Sequence, residues 1–145
     1  MTKIVAAAAL LLALQTPTSS PAASYGGTWI GDHAGTTFVR LELQDGGKSV
    51  TGRISLGKSI QVDAQGQVSK AAAAPREFRP LVEIVRGQSR LSFASKDAKS
   101  LDHFEMRLLG PDAAELLVIL SDEDKKELAA EGSPLPKPFR LKKIS

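Results

Sequence analysis

The sequence predicts an all-β fold, an antiparallel up-and-down barrel or strongly curved sheet of about eight strands with one short C-terminal helix. Three observations predict it. Apolar and polar residues alternate with period two in several short runs, most clearly at Val39, Leu41, Leu43 and at Phe104, Met106, Leu108. Turn-forming clusters separate these runs at roughly the 8–12-residue spacing of sandwiches and barrels. No strand–helix rhythm of a doubly wound fold appears.

In chain order, Thr28–Asp32 reads as a first strand carrying Trp29 and Ile30, with Gly27 and Gly31 permitting a bend or close backbone approach. Thr36–Gln44 follows a turn at Asp32–Gly35, and Asp45-Gly46-Gly47 is a hairpin turn. The return strand puts Val50, Ile54 and Leu56 on one face, with Gly52 among them at a bend or a crowded inner wall. Ser59–Asp63 is a weaker alternation through Ile60 and Val62. Val68–Arg76 shows no period and reads as a loop, with one helical turn admissible at Ala71–Ala74.

Leu81–Arg86 and Arg90–Ser95 form the next hairpin, with Val82, Ile84 and Arg86 opposite Leu81, Glu83 and Val85, and with Leu91 and Phe93 inward. A polar turn at Lys96–Ser100 leads to Leu101–Leu109. After Gly110-Pro111-Asp112, the apolar run Ala114–Leu120 suggests burial on both faces or a lid over one. Ser121 caps a helix whose first turn is acidic and which ends at Gly132. Being short and charged, it needs Leu128 and Ala129 to dock on the body. Phe139–Ile144, after a proline-rich segment, is the last strand.

Residues 1–24 read as a secretory signal peptide and residues 25–145 as a single β-barrel domain. Lys3 precedes the apolar run Ile4–Leu14, and small residues around Ala22–Ser24 suit cleavage. The run is shorter than the about 20 residues of a membrane-spanning helix, so no stable span is expected after cleavage. The destination is the periplasm or the extracellular space. The chain has no cysteine, which excludes disulfides, thiol catalysis, iron–sulfur clusters and cysteine zinc sites. With 19 basic against 16 acidic side chains, charge is too balanced to point to nucleic acid. The basic cluster Lys137, Arg140, Lys142, Lys143 reads as the solvated side of the last strand.

No catalytic, metal or cofactor site emerges. Both histidines follow an aspartate, in Asp32-His33 and Asp102-His103, but neighbouring strand residues point to opposite faces. Two unrelated surface histidines is the better reading than one shared site. No serine sits in a Gly-x-Ser-x-Gly elbow. Glu42, Glu83, Glu105 and Glu115 fall on solvated faces, unsuited to paired-carboxylate hydrolysis. The glycine pairs precede no helix that would cradle phosphate.

The interior is the better candidate, because an eight-strand barrel either fills with side chains or holds one small ligand. Trp29, Leu41, Ile54, Phe93, Phe104 and Met106 are the candidate ligand-binding residues.

Gly27-Thr28-Trp29 resembles the Gly-x-Trp that opens the first strand of lipocalins and related calycin barrels. The helix between the last long hairpin and the final strand is similar to the lipocalin order. The resemblance implies that Trp29 closes one barrel end and that a basic residue of the last strand, matched by Arg140, packs on it. It carries no ligand over. The expected function is an exported, non-enzymatic binding protein holding a small apolar or amphipathic ligand. The alternative is a protein-interaction module, or an inhibitor of an exported enzyme, acting through the 64–80 loop or the 121–138 segment.

Overall fold

The computed structural model describes residues 24–96 and 101–145. The predicted leader lies outside the described residues, as does most of the predicted 96–100 turn. Eight antiparallel strands close a barrel: β1 (Gly27–His33), β2 (Thr36–Asp45), β3 (Val50–Leu56), β6 (Arg79–Arg86), β7 (Arg90–Lys96), β8 (Leu101–Leu108), β9 (Ala113–Ile119) and β10 (Phe139–Lys143). Each strand lies beside its neighbour in the chain, save that a separate hairpin, β4 (Ile60–Val62) and β5 (Val68–Ala71), is inserted between β3 and β6. Helix α1 (Asp122–Glu131) joins β9 to β10.

Period-two patterning builds the wall as expected. Val39, Leu41 and Leu43 of β2 are buried, and their neighbours Arg40 and Glu42 are not. Trp29, Ile54, Leu91, Phe93, Phe104, Met106, Leu116 and Leu141 complete one continuous core. Ala34 and Gly35 both have positive φ, the geometry of a two-residue turn that matches strand twist. A Cβ on Gly52 would stand 2.3 Å from the Glu42 carbonyl oxygen and 2.8 Å from Leu43 Cδ2, so the inner wall there admits only glycine.

Several expectations are corrected. Val68–Ala71 is not loop but strand β5, and no helical turn forms at Ala71–Ala74. The partner supplies the structure: β5 pairs with β4 around a turn in which the Asp63 carboxylate accepts the N–H groups of Gln65 and Gln67 at 2.9 and 3.0 Å. In β6 the alternation breaks at a bulge between Val82 and Val85, where Glu83 takes a left-handed φ of 52°. Leu81, Ile84 and Arg86 are therefore the less exposed residues. A second bulge, at Gly31/Asp32 against β2, lets consecutive Phe38 and Val39 both be buried.

Helix α1 forms with the predicted caps. Ser121 Oγ accepts the Asp124 N–H at 3.1 Å, and left-handed Gly132 donates to Ala129 O at 3.1 Å. It does not dock as expected: none of its residues is buried, Leu128 is only half-buried and Ala129 is exposed. Consequently β9 is buried on one face, through Ala114 and Leu116, while Ile119 stays exposed. Among the described residues, no helix is long and apolar enough to cross a membrane.

Candidate functional site

The two barrel ends differ. One is sealed by the segment entering β1. Tyr25 is fully buried and donates its hydroxyl to Gly87 O at 2.9 Å, in the β6–β7 turn. Its N–H donates to Asp45 Oδ2 at 2.9 Å, and its carbonyl accepts the Trp29 indole N–H at 2.9 Å. Asp45 also accepts from the Gly47 N–H and pairs with Arg86. Trp29 thus plugs this end of the barrel.

Arg140, however, is not its basic partner. Lys143 stands opposite Trp29 in the ladder and places Nζ 5.8 Å from the indole centroid, while Arg140 lines the cleft at the other end. Burial alone would raise the Asp45 pKa. The hydrogen bonds from Arg86, Tyr25 and Gly47, with the guanidinium's charge, outweigh it and hold the carboxyl below its ordinary value. Burial pushes the Tyr25 phenol up, against the Arg86 charge and together with that of Asp45.

The opposite end is the mouth. Phe38 and Phe139 meet edge to face at 5.3 Å and form its floor. The β4–β5 hairpin lies over it, with Ile60, Val68 and Ala71 packed against the core. Polar ties hold it there: His33 Nε2 is 3.2 Å from Ser69 O, and the Lys137 N–H donates to Gly66 O at 2.9 Å.

A cleft of about 330 Å³ opens beside the hairpin, lined by Asp32, His33, Phe38, Val68, Lys137, Phe139, Arg140 and Glu115 among others. Its two acids are turned toward cations outside the lining. Asp32 pairs with Lys142 at 3.6 Å and accepts from Thr37, and Glu115 lies 3.9 Å from Arg107. Lys137 and Arg140 make no ion pair among the described residues.

Other clefts lie on the outer wall. One of about 900 Å³ spans β1–β3 and the 76–80 segment. One of about 270 Å³ holds Glu83, His103 and Glu105, with His103 Nε2 3.7 Å from Glu83. One of about 190 Å³ lies between β9 and Leu135.

The six predicted ligand-binding residues are brought together in the core, each at most 2 % exposed. Trp29, Leu41, Ile54 and Met106 line none of the four clefts, and Phe93 and Phe104 border only the 270 Å³ one. His33 and His103 line different clefts, and no three His, Asp or Glu side chains among the described residues are placed to hold a metal ion. Phe38, which the sequence offers only as one more residue lining or filling the interior, meets Phe139 at the mouth because of the Gly31/Asp32 bulge, and strand patterning does not show that pairing. Comparisons with protein-family models, curated proteins and solved structures give no match.

Proposed function

We propose that the chain is an exported, non-enzymatic binding protein and that it holds a small amphipathic anion at the barrel mouth. The observation that supports this reading is the pairing pattern of the cleft. Its acids have partners elsewhere, and its cations Lys137 and Arg140 make no ion pair among the described residues and border an aromatic floor of Phe38 and Phe139. An alkyl tail gains by burial against the rings, at about 25 cal/mol per Å² of apolar surface. A carboxylate or similar head gains from the two cations, and that part weakens with salt.

The core residues Trp29, Leu41, Ile54, Phe93, Phe104 and Met106 then serve mainly as the packed support beneath this site. A tail long enough to enter the barrel displaces their side chains. The experiment is calorimetric titration of dodecanoate into the protein and into a Lys137→Ala/Arg140→Ala variant. The reading expects binding that the double substitution weakens at least tenfold. Equal affinity for both proteins rejects it.

A second reading, docking of a protein partner through residues 121–138, draws on α1, which has no buried residue, and on the exposed Leu135.

A further inference from the structure

We propose that the 900 Å³ cleft on the outer wall binds a neutral saccharide chain, independently of the mouth. Outward positions of β1, β2 and β3 carry hydrogen-bonding side chains, and the register sets Thr28 against Glu42 and Glu42 against Arg53, with Gln44 against Thr51. Neighbouring strands lie about 4.8 Å apart, so these side chains form a shelf of closely spaced donors and acceptors. All five line the cleft.

Phe78 forms its wall. The chain leaves the hairpin, returns past β3 and is fixed there by the Ser55 hydroxyl donating to Pro75 O at 2.7 Å. The Arg53 guanidinium carbon lies 4.2 Å from the Phe78 ring centroid, and Arg53 is itself held by Glu42 at 2.8 Å. The guanidinium covers one face of the ring and fixes its orientation at the border of the cleft.

The electrostatics select the ligand. Glu42 and Arg53 neutralise one another, and Arg76 and Glu77 at the rim are adjacent charges of opposite sign. A lining without net charge gives no advantage to an anion or a cation. Alternating donors and acceptors suit groups that do both, and the hydroxyl is that group. An aromatic wall suits a ligand with an apolar face, as the C–H face of a sugar ring provides.

The test is binding of the full chain to four neutral probes, the hexamers of maltose, cellulose, xylan and chitin type, by calorimetry at low and high salt. The expected result is salt-independent binding of at least one hexamer. Phe78→Ala should weaken it about tenfold or more. Thr51→Val, at an exposed position that keeps side-chain shape, should weaken it by several-fold with an unchanged near-ultraviolet dichroism spectrum. Failure of all four hexamers overturns the proposal, as does binding indifferent to both substitutions. Preferential capture of a mixed tryptic peptide pool by the same residues also overturns it and assigns the cleft to peptides.

Discussion

Asp45 and Arg86 join two strands that are not neighbours. Asp45 ends β2, Arg86 ends β6, and β3 lies between them. The backbone ladder between β3 and β6 holds only the pairs Arg53–Pro80 and Ile54–Arg79, whereas β2 and β3 share seven. Pro80 offers no N–H to this seam. At its far end the barrel is closed by a side-chain ion pair that also holds the Tyr25 plug.

The Asp45 side chain is 5 % exposed and Arg86 18 %, so removing one partner leaves the other charge buried. Asp45→Ala should cost about 3–5 kcal/mol in urea unfolding. The double variant Asp45→Leu/Arg86→Met should recover part of that loss, since it replaces both charges of the pair with apolar side chains. Equal losses in the single and double variants would remove the seam-closing role of this pair.

The same pair sets a pH dependence. The folded Asp45 pKa lies below the ordinary aspartate value of about 3.9. Its stabilisation is therefore complete above that value and is lost as pH falls through the lower, folded value. Unfolding free energy followed from neutral pH to below pH 4 should decline at the acid end. The decline should be shallower in Asp45→Asn.

Trp29 is the sole tryptophan and is fully buried, with its indole N–H on the Tyr25 carbonyl. Its emission should be blue-shifted and resistant to iodide quenching. Trp29→Phe removes volume and leaves a carbonyl unpartnered, for a loss of about 2–4 kcal/mol in thermal or urea unfolding.

Ser95 is fully buried on β7, and its hydroxyl has no hydrogen-bond partner among the described residues. Ser95→Ala should leave stability unchanged or raise it by about 1 kcal/mol, read as a higher urea midpoint. A clear loss would show that the hydroxyl has a partner such as bound water.

The barrel was legible in the sequence because a wall buried on one face must alternate, and residues 39–44 of β2, with β8 and β10, alternate plainly. The tryptophan plug was legible through Gly27-Thr28-Trp29. The mouth was not. Phe38 is buried by a bulge, Glu83 is turned by another, and β5 is a strand only because β4 lies beside it. Arg140 could not be told from Lys143, since which basic residue meets Trp29 depends on the β1–β10 register. The helix is legible because its caps are local, and its lack of docking is not, because nothing local reports where its apolar side lies.

The central functional claim is tested most directly by backbone amide spectra recorded while dodecanoate, and separately dodecyltrimethylammonium, is titrated into the protein. Dodecanoate should shift the amides of Gln67, Val68, Phe139 and Arg140, with little response to the cation. Equal response to both amphiphiles, or no shift around the mouth, would contradict the account.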